Sequence, residues 1–343
     1  MAVSQTMEIC GIRAEPGTRA QGFVTIGETA AGPVQFPLVL FNASEPGPSL
    51  AITAGVHATE YAPIEAALRL INALESRLLR GSVAIVPVAN LTMFAARSGF
   101  VTPIDGLNLN KVAPGGNGSI TERLAKELLD GVIAHTSCYI DLHAGDLGEM
   151  LMPFGGCCVT GNPQVDRDAE ALARLYTPKM ISLAREGSSL PPFAGSLVYE
   201  AARRGVAAIL AESGGNGTLV EEDVQVHLRG VENILRYLGM VEGRPKIPGP
   251  QTSATGRVIT RATRSGLLRL QVEVGDAIAE GQAAAEICSV FGDVVETVRV
   301  SKAGTAGLVW AHKVVSSGDP VVRCWYTEPA LPFAATDPFL EET

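Results

Sequence analysis

Apolar runs alternate with helix-length amphipathic stretches over the first two-thirds of this chain, and that alternation confines it to a narrow class of folds. Residues 38–41, 50–54, 83–88, 138–142 and 206–210 are β-type runs with few polar interruptions. Between them, residues 60–79 carry Ile64, Leu68, Ile71 and Leu78 at helical spacing. Residues 121–135 start acidic and place Leu124, Leu128 and Ile133 on one face. Residues 166–183 and 221–238 read as further helices, the second with Val224, Leu228, Val231 and Leu235 facing inward. Strands that are apolar on both sides imply a sheet covered on both faces. The expected fold is α/β: a mixed, largely parallel central sheet flanked by helices.

The pattern changes after Gly239. Residues 242–251 hold three prolines and two glycines, the composition of a linker. From 256 to 327 the chain becomes short β-type runs broken by glycine turns such as Val274-Gly275-Asp276 and Ser317-Gly318-Asp319. This predicts a small all-β domain resembling the barrel-sandwich hybrid of biotinyl and lipoyl carriers, although no Met-Lys-Met-type modification site is present. The chain thus divides into residues 1–245 and a β-rich region 246–343. The β-rich strands leave open whether that region shields a site or mediates self-association into a homo-oligomer.

Composition narrows the partners. The net charge is −9 and no basic patch is visible, which argues against nucleic acid. No run of about 18 apolar residues suggests a membrane span, and residues 1–11 do not read as a signal peptide. Six scattered cysteines form no C-x-x-C pair, so reduced thiols in a cytoplasmic protein are expected.

The candidate chemistry lies where the apolar runs end. Residues 50–54 lead directly into Gly55-Val56-His57-Ala58-Thr59-Glu60, and residues 138–142 into His143. Ligands of open α/β sheets bind at the carboxyl ends of strands, so His57, Glu60 and His143 are candidates for one divalent metal. Two imidazoles and a carboxylate are the ligand set of a catalytic zinc that leaves a fourth position for water. Asp141, two residues before His143, lies on the same side of its strand and can orient that imidazole through its second nitrogen. Glu212 follows residues 206–210 and precedes a glycine-rich loop, where a carboxylate can serve as general base. An acid capping a loop is the plain structural reading of the same residue. His135, His227 and His312 read as solvated or packed polar residues.

Taken in order, Gly55-Val56-His57-Ala58-Thr59-Glu60, then Pro103-Ile104-Asp105-Gly106-Leu107-Asn108-Leu109-Asn110, then Asp141-Leu142-His143, then Glu212-Ser213-Gly214 resemble the succinylglutamate desuccinylase/aspartoacylase family of the zinc carboxypeptidase-like superfamily. The resemblance runs over essentially the whole chain, β-rich region included. It implies one zinc ion (Zn2+) on His57, Glu60 and His143, Glu212 as general base and acid, and hydrolysis of an amide bond in an N-acylated amino acid or similar small amide. Asn108, Asn110, Lys111 and Arg97 are then expected at the substrate end. Three positions depart from the family pattern: Ala58 replaces a glycine, Lys111 an arginine that pairs with a substrate carboxylate, and Phe100 a second arginine. Lysine is a point charge without the bidentate fork of arginine, so either a different substrate anchor or a substrate with less negative charge is expected. A carboxypeptidase-like or ester hydrolase is one alternative. A catalytically silent, metal-containing binding module is the other, and it requires a fourth protein ligand.

Overall fold

The computed structural model describes residues 5–327, apart from residues 76, 177–178, 247–248 and 250. Parts of the linker 242–251, and of the β-rich region beyond residue 327, therefore lie outside the described residues. The centre of the molecule is a thirteen-stranded sheet. Its middle consists of four parallel strands, in the order Ala207–Gly215, Cys138–His143, Glu45–Thr53 and Arg80–Val86. Antiparallel strands extend it on both sides. Gly32–Asn42 and Thr18–Thr29 follow Arg80–Val86. On the other side come Glu149–Val159, Gly304–Trp310, Pro320–Tyr326 and Gly256–Arg261. The sheet is mixed, as expected, with its parallel character confined mostly to the middle.

Side-chain alternation explains the continuous apolar runs. Leu50, Ile52, Val83, Ile85, Ile140 and Ile209 face the helices Tyr61–Leu74, Pro163–Tyr176 and Glu221–Tyr237. Their neighbours Ala51, Ala84, Val86, Tyr139, Ala208 and Leu210 face the opposite layer, which includes Leu124, Leu128, Leu197 and Val198. Every residue of the Cys138–His143 strand is buried. Burying a Leu or Ile side chain contributes roughly 1.5–3 kcal/mol, so neither face can be left to solvent without a large loss of stability.

Three segments differ from the sequence expectation. Residues 166–183 are not one helix: the helix is Pro163–Tyr176, and Met180–Arg185 is a strand paired with Glu149–Val159. The run Met180-Ile181-Ser182-Leu183 fits helical and extended periodicity alike, and its pairing partner decides. Residues 121–135 are helical but not uniformly so, with Ile120–Lys126 passing into the wider turns of Glu127–Val132 and the tighter Ile133–His135. The hairpin Thr18–Thr29/Gly32–Asn42 was legible only at 38–41, because its outer strand is half-exposed and weakly apolar.

The β-rich region contributes to two sheets. Val294–Arg299, Ala283–Cys288, Gly266–Leu270 and Val314–Val315 form a four-stranded sheet of their own. The remaining long strands join the large sheet, where Leu308, Val309 and Trp310 pair with Leu151, Met150 and Glu149.

One buried polar group ties a helix to the strand that carries Glu212. His227 accepts from Tyr176 Oη at Nδ1 (2.9 Å) and donates from Nε2 to the Ser213 carbonyl (3.2 Å). Burial holds its pKa down at about 4, below the ordinary imidazole value of about 6.5. A group with a depressed folded-state pKa contributes stability that is complete above its unfolded value and is lost as pH falls toward the folded one. Wild-type protein is expected to lose on the order of 2 kcal/mol through this residue between pH 7 and pH 5. Urea unfolding of wild type and His227→Gln at both pH values measures it, and equal losses in the two proteins would remove His227 as the cause.

Candidate active site

The carboxyl ends of the parallel strands meet at one edge, and their register brings the site together. Glu212 pairs with His143, Leu210 with Asp141, and Thr53 with Asp141 from the other side. Past Thr53 the chain turns through Gly55 at φ +64°, where a Cβ would lie 3.1 Å from the Val88 backbone. That turn delivers His57, and Glu60 stands at the N-terminus of the helix Tyr61–Leu74.

His57, Glu60 and His143 converge. One donor atom from each lies within 4.8 Å of the others, and all three side chains are buried. His57 Nδ1 is 2.9 Å from Glu60 Oε1, and His143 Nδ1 is 3.0 Å from Glu60 Oε2. A tetrahedral zinc separates such ligands by about 3.4 Å, so the spacing suits a metal. The outer nitrogens strengthen the case. His57 Nε2 donates to Asn108 Oδ1 (3.1 Å), and His143 Nε2 faces Asp141 Oδ2 at 3.2 Å. The Nδ1 atoms face Glu60: without a metal they are placed to donate protons to it, and a cation seated among the three donors would displace those protons and leave each ring neutral, with its Nε2 proton toward Asn108 or Asp141.

Each ligand is held from behind. Glu60 Oε2 also accepts from the Ala144 backbone N–H (2.9 Å). Asp141 Oδ1 accepts from Thr53 Oγ1 (2.5 Å), which contacts Tyr139 Oη at 2.6 Å. Burial disfavours the Glu60 carboxylate, yet the charges of His143 and His57 outweigh it and hold its pKa down at about 2. Burial likewise opposes protonation of His143, and Asp141 and Glu60 overcome it and raise its pKa well above the usual imidazole range.

Glu212 is half-buried beside His143, and its buried Oε2 has no hydrogen-bond partner among the described residues. Burial raises its pKa well above the carboxylate range. His143 and Arg323 oppose the rise, whereas the nearby Glu60 and Glu149 charges add to it. A carboxyl raised in this way can take a proton and return it.

The substrate-end candidates separate. Asn108 contacts His57 and accepts from the Asn110 backbone N–H at 2.8 Å, which makes it a positioning group for a metal ligand. Asn110 keeps a buried Oδ1 without a partner. Arg97 does not join the cluster. It closes the helix Leu91–Ala96 in the left-handed conformation, is exposed, and makes no hydrogen bond or ion pair with the three ligands among the described residues. Phe100 sits nearer, with its ring centroid 6.1 Å from that of His57. Asp146 was missed by sequence reasoning. Fully buried, it accepts from Thr59 Oγ1 and from the Phe100 and Leu147 backbone N–H groups, so it ties the His57–Glu60 turn to the Phe100 loop. Its position three residues after His143 was the only available signal.

The succinylglutamate desuccinylase/aspartoacylase catalytic domain matches residues 46–238, more than half of the chain. This protein belongs to that family. It is 30% identical over 308 residues to an N-alpha-acetyl-L-2,4-diaminobutyric acid deacetylase of Halomonas elongata, covering 86% of each chain. The product-bound ectoine utilization protein of Ruegeria pomeroyi shares its fold with a TM-score of 0.83 at 21% identity, over 95% of this chain and 99% of the other. A succinylglutamate desuccinylase/aspartoacylase from Rhodobacter sphaeroides does so with a TM-score of 0.79 at 21% identity, over 90% and 96%. As a member of this deacylase family, the protein carries a His57–Glu60–His143 cluster suited to a metal. No helix among the described residues is long and apolar enough to cross a membrane.

Loss of the carboxylate behind His143 is expected to weaken metal binding. Asp141→Asn should lower zinc affinity about 10–100-fold. Competition with a chromogenic chelator reads this directly, and an unchanged affinity would exclude Asp141 from support of the site.

Proposed function

We propose that this protein is a zinc-dependent deacylase that hydrolyses the amide bond of a small N-acylated amino acid. The observation that carries this reading is the convergence of His57, Glu60 and His143 with Glu212 in register beside them. In this reading residues 1–245 hold the catalytic centre and residues 246–343 the β-rich portion.

Zinc held by the three ligands supplies a Lewis acid that acidifies water and polarises the scissile carbonyl. The protein's own residues do the rest. Glu212 takes a proton from the attacking water as the new C–O bond forms, then gives it to the amine as the C–N bond breaks. Glu60 is fixed by the Ala144 N–H, His57 by Asn108 and His143 by Asp141, which limits reorganisation during the reaction.

The silent-module alternative needs a fourth protein ligand, and the donor cluster among the described residues has three. An open position favours catalysis.

Chelator dialysis is expected to abolish activity and zinc to restore it; full activity in metal-free protein would overturn the metal mechanism. Glu212→Gln should keep stoichiometric zinc by metal analysis while kcat falls about 100-fold or more, and an unchanged kcat would remove Glu212 from proton transfer. The first substrate to test is Nα-acetyl-L-2,4-diaminobutyrate, named by the Halomonas elongata relative, alongside other N-acetyl and N-succinyl amino acids, peptides and esters. Turnover confined to peptides or esters would replace the deacylase reading with the carboxypeptidase-like or esterase one.

A further inference from the structure

Resting on the deacylase reading, we propose that the substrate carboxylate is bound by Arg257 and Arg323, two arginines that the β-rich region delivers to the catalytic face.

The register of the large sheet carries this placement. Arg323 pairs with Leu308, Leu308 with Leu151, and Leu151 with Gly214, one row across four strands. Two residues along, Arg257 pairs with Trp325. The Trp325 ring meets Phe154 edge-on at 4.6 Å, and Phe154 pairs with Glu212. Bulges at Glu212/Gly214 and Ala306/Leu308 interrupt the simple alternation, so packing fixes the face. Leu210, Phe154, Leu308, Trp310 and Trp325 share one core layer, whereas Val322 and Cys324, on either side of Arg323, face another. Arg257, paired with Trp325, and Arg323, against the Trp310 ring, therefore lie on the face of Leu210, which Glu212 shares two residues on.

Both guanidinium groups are seated against aromatic rings, and neither has a carboxylate within ion-pair distance among the described residues, although Arg323 feels the Glu149 and Glu212 charges from farther away. Arg323 Cζ lies 5.6 Å from the Trp310 ring centroid, and Arg257 Cζ lies 5.6 Å from that of Phe193. Such stacking orients the planar group and leaves its N–H edges free. Neither arginine nor Lys111 forms an ion pair among the described residues, and Arg323 Nε is buried without a hydrogen-bond partner. Arg257 feels the charge of Arg323, and Lys111 feels both. Burial and then Arg323 lower the Arg257 pKa to about 10, and burial together with Arg257 and Arg323 lowers that of Lys111. Like charges gathered in a half-buried place cost stability until an anion arrives. A carboxylate fits, because the arginine fork binds it bidentately. This also accounts for Lys111 at the family's arginine position: the fork-shaped contact has moved to strands from the other end of the chain. The alternative role for Arg323 is to tune Glu212 by charge alone.

The test compares Nα-acetyl-L-2,4-diaminobutyrate with its carboxamide on zinc-loaded protein, by calorimetric binding and, separately, by turnover. Wild type is expected to favour the acid about 10–100-fold. Arg323→Gln and Arg257→Gln should each erase most of that preference, chiefly through KM, and Arg323→Lys should recover part of it. Thermal melting checks that each variant folds, and Arg257→Gln carries the test if Arg323→Gln does not. Undiminished acid preference in the folded variants, or none in wild type, would overturn the proposal. So would a shifted pH profile of kcat with the preference intact, the mark of charge tuning. Acid-selective binding that the variants lose, without turnover of any acylated amino acid, would retain the carboxylate site and refute the deacylase reading.

Discussion

Everything at this site depends on a parallel register. Four strands run the same way through the middle of the sheet, so their carboxyl ends fall on a single edge. Glu212 stands opposite His143, and Thr53 opposite Asp141, because backbone hydrogen bonds align those residues. A slip of one residue would turn His143 and Asp141 to the helix-covered face and disperse the cluster. The apolar packing on both faces forbids that slip, since the same shift would exchange Ile140 for Tyr139 and Asp141 on each side. Hydrophobic order thus holds a polar site in place.

Within the site, Glu60 lies between two imidazoles, and each imidazole is oriented from behind by an oxygen acceptor. That arrangement explains why so many polar groups are tolerated in a buried place. Paired charges and hydrogen bonds offset their desolvation. Some polar atoms stay without a hydrogen bond among the described residues, Asn110 Oδ1 and Glu212 Oε2 among them, and desolvation of the Glu212 carboxyl raises its pKa. Strongly perturbed buried groups gather at functional sites more than elsewhere, which is what singles out Glu212.

The β-rich region is joined to the catalytic sheet by main-chain pairing between Leu308–Trp310 and Glu149–Leu151. Sheet continuity fixes the orientation of its side chains relative to Glu212 with the precision of a strand, which a flexible tether could not provide. Two arginines from beyond residue 245 are thereby held at fixed positions relative to a donor cluster that comes from the first half of the chain.

The apolar runs and their terminal residues revealed most of the centre. His57, Glu60, His143, Asp141 and Glu212 were all legible because strand ends are local features with a regular side-chain period. The central helices and strands were readable for the same reason, except where a short apolar run such as 180–183 suits both periodicities. Long-range pairing was not legible. Nothing local says that Asn108 would support His57 across 51 positions, that Asp146 would fasten the Phe100 loop, or that Arg323 would align with Gly214. Sequence by itself determined which residues have the chemistry and which strands bring them to an edge. Only the tertiary structure decided which of them meet, because sheet order and register arise from contacts between segments whose separation along the chain carries no periodic signal.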